Sequence, residues 1–162
     1  MKHDHSAISA FLYREARLLD DRQWDDWLAC YAPNAHFWMP AWGDDDALTN
    51  DPFTELSLIY YTSRDGLEDR VFRIKTERSG ASTPEPRTSH NLSNVEILDV
   101  EDDRVSVRFN WQTLSHRYKS TDIYFGTSFY TLDMSGESPV ILSKKVVLKN
   151  DYIHHVIDVY HI

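Results

Sequence analysis

The sequence predicts an α+β fold in which about three N-terminal helices are wrapped by a strongly curved antiparallel sheet. Two observations support this prediction. Apolar residues recur at helical spacing as far as Ile74, and from Asn94 to Leu148 they alternate with polar residues at the spacing of strands. Helices followed by a run of strands are typical of α+β layers. With 162 residues, the chain is expected to form one domain over residues 1–162.

Two helices are predicted at the beginning of the chain. In Ser6–Asp20 one face is apolar, and the charged residues, Glu15 among them, are assigned to the other face. The segment Trp24–Tyr31 carries aromatic and aliphatic residues at positions i, i+3, i+4 and i+7. It is therefore predicted to be a short aromatic helix, with its tryptophans in the core, that Pro33 brings to an end.

A strand is predicted at Ala35–Met39, a segment dense in aromatic residues. As a strand it would place His36 and Trp38 on one side of a sheet and Phe37 and Met39 on the other.

A loop, a short apolar segment and a third helix are predicted next. Residues 41–50 form the acidic, solvated loop, and Ser57–Tyr61 is the apolar segment. Asp65, with Glu68 three residues later, predicts the beginning of a helix whose apolar face lies in Leu67–Ile74.

The second half of the chain is predicted to be an extended arm followed by strands. Gly80 and two prolines exclude regular structure in the arm, Arg78–Thr88. A strand at Asn94–Val100 leads into a turn at Glu101–Arg104. Half-buried strands are then predicted at Val105–Gln112, Ile123–Leu132 and Val140–Leu148.

Composition limits the classes of partner. The net charge of −9 opposes binding to nucleic acids and to anionic membrane surfaces. The single cysteine, Cys30, excludes an internal disulfide and a Rieske cluster within this chain, and it is predicted to be a buried thiol. The N-terminus lacks the uninterrupted apolar run of a signal peptide, so a cytoplasmic location is expected.

A strongly twisted sheet that curls around its helices forms a cone, the cystatin-like arrangement that ketosteroid isomerases and scytalone dehydratase share. The fold alone leaves both an enzyme and a scaffold open.

Five ordered segments span nearly the whole chain: EARLLD at Glu15–Asp20, WDDWLACY at Trp24–Tyr31, LEDRVFRIKTERS at Leu67–Ser79, RTSHNLSNVEI at Arg87–Ile97 and KKVVLKNDYI at Lys144–Ile153. Together they resemble the small, or β, subunits of bacterial aromatic-ring-hydroxylating dioxygenases. The ending at Lys149–Ile162 is most similar to the benzoate, toluate, halobenzoate and anthranilate 1,2-dioxygenase branch. The stretch SGASTPEPRTSH departs from the biphenyl and naphthalene branches.

The resemblance implies a structural subunit without an active site, catalytic residues, metal or cofactor of its own. The large α subunit would carry a Rieske 2Fe–2S cluster and a mononuclear Fe(II), and an NADH-dependent reductase would supply electrons through it. Three large and three small subunits would form a hexamer, with contacts between the small subunits. The complex would hydroxylate benzoate-type substrates to cis-diols or catechols.

Most histidines are predicted to be structural or at the surface. His3 and His5 are assigned to a frayed tail, and His154 and His155 are neighbours whose side chains diverge. Their spacing does not give a two-histidine, one-carboxylate iron site.

His36 and His90 keep an alternative open: a free-standing cone-fold lyase or isomerase, or a small-molecule binding module. A buried histidine beside Asp26 or Tyr31 would be a general base. Neither histidine has a recognisable acid partner in the sequence, which favours a hydrogen-bonded role in the core or at an interface.

Residues for subunit contacts are proposed from exposure and hydrogen-bonding capacity. They are Trp42, Arg78, Arg87, His90, Asn91 and Tyr152.

Overall fold

The computed structural model describes residues 3–42, 45–53, 55–76, 85–151 and 157–162. Its helices are α1 (His5–Asp20), α2 (Trp24–Leu28) and α3 (Arg64–Lys75), and a short 3-10 turn covers Val159–His161. Its strands are β1 (Tyr31–Pro40), β2 (Ser57–Tyr61), β3 (Arg87–Glu101), β4 (Arg104–Arg117), β5 (Ser120–Asp133) and β6 (Val140–Leu148).

The six strands form one sheet in the order β2-β1-β6-β5-β4-β3. Neighbouring strands are antiparallel except β1 and β6, which run parallel. The long strands β3, β4 and β5 are joined by tight turns, which gives the predicted meander. After β5 the chain turns back, and β6 lies between β5 and β1. It is antiparallel to β5 and parallel to β1.

The helices cover one face of the sheet from edge to edge. Helix α1 packs on β3 at one edge, and α3 packs on β1 and β2 at the other. The sheet therefore curls around the helices, and the predicted α+β fold is confirmed. The core between the two layers is closed by fully buried side chains such as Ile8, Leu12, Phe37 and Val107.

Two predictions for the aromatic segment are wrong. Helix α2 ends at Leu28, and Tyr31 begins β1 instead of completing the helix. Pro33 lies inside β1, where the pairing with β6 is interrupted between Tyr31 and His36. A proline has no N–H to donate, so it is tolerated where a strand leaves the ladder. The predicted alternation in the rest of β1 is confirmed, because Phe37 is buried and His36 is exposed.

The first residue of α3 was also placed wrongly. Ser63 is the N-cap, and its hydroxyl accepts a hydrogen bond from the backbone N–H of Asp65. Asp65 is already inside the helix, where a carboxylate in the first turn interacts favourably with the helix dipole. The predicted apolar face is confirmed, since Leu67, Val71 and Ile74 are buried.

The predicted arm, Arg78–Thr88, is only partly described. Residues 78–84 lie outside the described residues, but Arg87 and Thr88 belong to β3, which begins earlier than the predicted Asn94. His5 is likewise not in a frayed tail: it is the first residue of α1, and its Nε2 is 2.7 Å from the carbonyl oxygen of Val95.

The described end of the chain packs on the core. Val159, Tyr160 and Ile162 are buried, and Asp158 caps the 3-10 turn. Both carboxylate oxygens of Asp158 also accept hydrogen bonds from Nε of Arg70 in α3, at 2.8 Å. The Asp158 side chain is only 4% exposed, so this ion pair is buried and stabilises the packing of the described chain end on α3.

Replacing Asp158 by Ala should therefore lower the free energy of unfolding by about 3 kcal/mol, because Arg70 loses its buried partner and the turn loses its cap. Urea denaturation measures the change. Asp69→Ala is the matched control: Asp69 also pairs with an arginine of α3, but it is 64% exposed. We expect a loss below about 1 kcal/mol for the control. Equal losses in the two variants would contradict this assignment.

Candidate functional site

The carboxylate of Glu15, in the middle of α1, lies at the centre of a buried polar cluster. Its Oε1 accepts hydrogen bonds from the hydroxyls of Tyr130 at 2.6 Å and Tyr31 at 3.2 Å. Nζ of Lys144 donates to the same oxygen at 3.4 Å, and Nε1 of Trp27 donates to Oε2 at 3.4 Å. We call these five residues the Glu15 cluster.

Burial shifts the pKa of Lys144, Tyr31 and Tyr130 in the Glu15 cluster. It lowers the pKa of Lys144 because it disfavours the ammonium, while the negative charge of Glu15 acts in the opposite direction. The rings of Phe37 and Tyr130 lie 5.1 and 5.3 Å from Nζ and give further favourable contacts to a cation. Burial and the charge of Glu15 raise the pKa of Tyr31 and Tyr130 well above ordinary values, so both hydroxyls remain donors.

The Glu15 cluster is structural in its geometry. Each member is less than 5% exposed, and the donors converge on Glu15 itself. Cys30 lies beside it, and burial followed by the charge of Glu15 raises the pKa of the thiol to about 11. At that pKa the sulfur is a protonated, unreactive thiol, as predicted for Cys30.

The Glu15 cluster was not predicted from the sequence, because Glu15 was assigned to the polar face of α1. It lies on the buried face, 2% exposed. The spacing contained the signal: Glu15 is four residues after Phe11 and four before Leu19, both of them apolar residues of that face.

A second polar group lies between the last turn of α1 and the edge strand β3. Nδ1 of His90 is 2.5 Å from Oδ1 of Asp20. The backbone N–H of His90 donates to Oδ2 of Asp20, and the hydroxyl of Thr88 donates to Oδ1, both at 2.9 Å. His90 therefore has an acid partner after all, and the interpretation that it lacked one is wrong. Residues 70 positions apart in the sequence gave no local signal for this pair.

The His90 side chain borders a cleft of about 320 Å³, which we call the edge cleft. Its lining is formed by Tyr13, Ala16, Arg17, Asp20, His90, Asn91 and Leu92. The His90 side chain is 3% exposed. Its Nε2 is buried and has no hydrogen-bond partner among the described residues.

The outer face of the sheet carries a row of directly paired residues across five strands. Nζ of Lys145 lies 5.0 Å from the ring of Trp38 and 5.8 Å from that of Phe129. The guanidinium of Arg108 lies 5.3 Å from the same Phe129 ring, and its Nε is 3.8 Å from a carboxylate oxygen of Glu96. Each residue is the register partner of the next, so the row crosses the sheet at right angles to the strands.

His36 also lies on this outer face, in a groove of about 530 Å³. It is exposed, whereas Tyr31 points into the core and belongs to the Glu15 cluster. The structure therefore does not bring His36 and Tyr31 together as a buried base and its partner.

The proposed contact residues are only partly brought together. His90 and Asn91 are neighbours at the edge cleft, and Arg87 is exposed at the beginning of β3. Trp42 is 46% exposed, and its Nε1 donates to the carbonyl oxygen of Leu148 at 2.7 Å. Arg78 and Tyr152, like His154 and His155, lie outside the described residues.

Among the residues that the structure describes, no three His, Cys, Asp or Glu side chains form a group that would hold a metal ion. Within the same residues, no helix is long and apolar enough to cross a membrane.

Comparison with known proteins identifies the chain. The family model for the ring hydroxylating beta subunit matches residues 14–155. The benzoate 1,2-dioxygenase subunit beta of Acinetobacter baylyi is 66% identical over 155 residues, covering 96% of this chain and 92% of that protein. The 2-halobenzoate 1,2-dioxygenase small subunit of Burkholderia cepacia is 64% identical, with coverage of 96% and 94%. The anthranilate 1,2-dioxygenase small subunit of A. baylyi is 40% identical, with coverage of 98% and 97%.

Solved structures give the same result. The beta subunit of the benzoate 1,2-dioxygenase from Burkholderia mallei superposes with a TM-score of 0.84 at 58% identity, covering 98% of this chain and 97% of that chain. A candidate scytalone dehydratase from Novosphingobium aromaticivorans has a TM-score of 0.69 at 17% identity, covering 94% and 90%, and shares the fold alone. The fold is thus the predicted cone. Within that class, the chain belongs to the ring-hydroxylating dioxygenase β-subunit family.

The Glu15 cluster yields a double-mutant prediction. Glu15→Gln should lower the free energy of unfolding by about 3–5 kcal/mol, because Lys144 loses its buried counter-charge. Adding Lys144→Met should recover a large part of that loss, since the uncompensated charge is removed. Denaturant unfolding of the two single variants and the double variant measures the coupling. The exposed pair Lys75–Asp25 is the control, with an expected coupling below about 1 kcal/mol. Additive losses at Glu15 and Lys144 would refute the assignment.

Proposed function

We propose that this chain is the non-catalytic small subunit of a benzoate-type 1,2-dioxygenase, which hydroxylates benzoate or a substituted benzoate to a cis-diol or catechol. The observation that carries the proposal is the identity above 60% to the benzoate and halobenzoate subunits over more than nine-tenths of both chains. The lower identity to the anthranilate subunit makes anthranilate the less favoured substrate.

The redox chemistry belongs to the large partner subunit in this proposal. That subunit carries the Rieske cluster and the mononuclear iron, and it receives electrons from an NADH-dependent reductase. The small subunit holds three large subunits together in a cytoplasmic hexamer through contacts with them and with its own copies. The described part of this chain offers a closed polar core instead of a metal-binding group.

One end of the sheet supports a docking role for the proposed contact residues. Asn91, Gln112 and Phe125 are consecutive register partners across β3, β4 and β5. The next strand, β6, ends at Leu148. The carbonyl oxygen of Leu148 accepts a hydrogen bond from Nε1 of Trp42. Asn91 and Trp42 therefore lie at the same end of the sheet. Trp42 and Phe125 are each nearly half exposed there, which suits aromatic anchors for the large subunit.

A second candidate function rests on the Asp20–His90 pair. A carboxylate that orients an imidazole is the arrangement of a general base, so a cone-fold lyase or isomerase remains the competing proposal. It requires His90 to act on a substrate, whereas the scaffold proposal requires only that the chain assemble with its partner.

Assembly tests the scaffold proposal directly. Purified alone, the chain should hold no stoichiometric iron. Mixed with the large subunit, it should elute as one complex whose iron content follows the large subunit. Size exclusion with light scattering, combined with metal analysis, measures both. One tightly bound iron per isolated chain, or failure to form any complex, would overturn the proposal.

Turnover of the assembled complex tests whether His36 or His90 takes part in the chemistry. His36→Asn and His90→Asn should leave the turnover per iron of the fully assembled complex within several-fold of the unsubstituted complex. Removal of a general base should instead cost on the order of a hundredfold or more. The assay is product formation at subunit concentrations that saturate assembly. A hundredfold loss in either variant, with the complex intact, would contradict the non-catalytic role of this chain.

A further inference from the structure

The groove of about 530 Å³ on the outer face of the sheet, which we call the outer groove, has a floor of two parallel rows of side chains. In each row, every residue is the register partner of the next. The first row contains Tyr60, Trp38, Lys145 and Phe129. The second row, two residues away along each strand, contains His36, Ser143, Thr131 and Ser106. Aromatic rings and an ammonium group therefore lie beside three hydroxyls and an imidazole.

The ammonium of Lys145 has no anionic partner among the described residues. Its Nζ lies 5.0 Å from the ring of Trp38 and 5.8 Å from that of Phe129, and no described side chain or carbonyl accepts a hydrogen bond from it. The nearby carboxylate of Glu96 faces Arg108 instead, at 3.8 Å. Lys145 is only half-buried and lines the outer groove, so a ligand in the groove can reach its N–H donors.

The charge of the outer groove is opposite to that of the chain. Of the 162 residues, 26 are Asp or Glu, and the net charge is −9. None of the described residues that line the outer groove is acidic, whereas Lys145 contributes a positive charge and His36 is an exposed hydrogen-bonding group. The groove is therefore complementary to an anion.

The aromatic rings of the outer groove favour a flat ligand. Nε1 of Trp38 donates a hydrogen bond to Oγ of Ser57 at 3.0 Å, which fixes the orientation of the indole. The rings of Phe53 and Tyr60 also line the groove, edge to face with centroids 5.8 Å apart, and Phe53 is 79% exposed. Aromatic rings pack well against one another in stacked or edge-to-face arrangements. The volume lies in the range of small-molecule sites, about 300–1,000 Å³.

We propose that the outer groove binds a small aromatic carboxylate. The carboxylate accepts hydrogen bonds from Nζ of Lys145 and from the hydroxyl of Ser143, and the ring of the ligand packs against Trp38. The inference goes beyond the proposed function, because it gives the small subunit a ligand site of its own that does not depend on the scaffold role.

Nuclear magnetic resonance of the full-length chain tests the site. The indole N–H signals are recorded during titration with benzoate, and the signal of Trp38 is the one that Trp38→Leu removes. We expect that signal to shift saturably at millimolar benzoate. Benzamide keeps the ring without the charge, and acetate keeps the charge without the ring. Each should bind about tenfold more weakly than benzoate, because one half of the recognition is lost.

Lys145→Met tests the ammonium, since it keeps most of the side-chain stem and removes the charge. It should weaken benzoate binding about tenfold and make benzoate and benzamide bind equally. Lys149→Met is the matched control, because Lys149 is an exposed lysine just after β6 that does not line the outer groove. This control should bind benzoate unchanged. Thermal unfolding of each variant checks the fold, and Lys145→Gln decides if Lys145→Met does not fold.

Three results would overturn the proposal. They are the absence of a saturable shift of the Trp38 signal, equal affinity of the unsubstituted chain for benzoate and benzamide, and unchanged benzoate affinity in a folded Lys145 variant. None of these measurements involves the large subunit, so the scaffold function is tested separately by assembly.

Discussion

The buried carboxylate of Glu15 holds the layers of this protein together. It projects from α1, and its donors come from four other elements: Trp27 of α2, Tyr31 of β1, Tyr130 of β5 and Lys144 of β6. A buried charge is tolerated only when it is paired and hydrogen-bonded, so every donor must be in place at once. Tyr130 and Lys144 are register partners, and a slip of one residue between β5 and β6 would turn one of them to the outer face. The cluster therefore fixes both the rotation of α1 and the register of the central strands.

Periodicity predicted most of the fold because the spacing of apolar residues indicates which side chains are buried in the core and which are exposed to solvent. The strand Val140–Leu148 and the apolar face of α3 were predicted from alternation and helical spacing alone. The boundary between α2 and β1 failed for a physical reason. Tyr31 has helical spacing from Trp24, but it is also the first residue of a strand, and both structures bury it. Burial is what periodicity measures, so it does not separate the two.

The polar sites could for the most part not be predicted from the sequence, because their residues come into contact only in the folded protein. Asp20 and His90 lie on different elements, and neither looks unusual in its own segment. Glu15 is the exception, since its position in the apolar pattern of α1 was visible. The error came from assigning it by its charge instead of by its spacing. A charged residue at a core position deserves the opposite interpretation: it predicts buried partners elsewhere in the chain.

Two carboxylates on the same helix thus have opposite consequences, and the difference lies in what remains unsatisfied. Glu15 gathers its donors from within the chain, and the result is a closed cluster that stabilises the cone. Asp20 accepts from three donors, but one of them is an imidazole whose second nitrogen, Nε2, is buried and has no hydrogen-bond partner among the described residues. The contact of Nδ1 with Asp20 fixes the orientation of the imidazole, so the position of Nε2 is fixed as well. Three residues separate the end of α1 from the beginning of α2 at Trp24, and both Glu15 and Asp20 lie on α1, so the edge cleft and the Glu15 cluster are positioned by the same helix. The α1 side chains that line the edge cleft therefore occupy positions that the buried core already fixes.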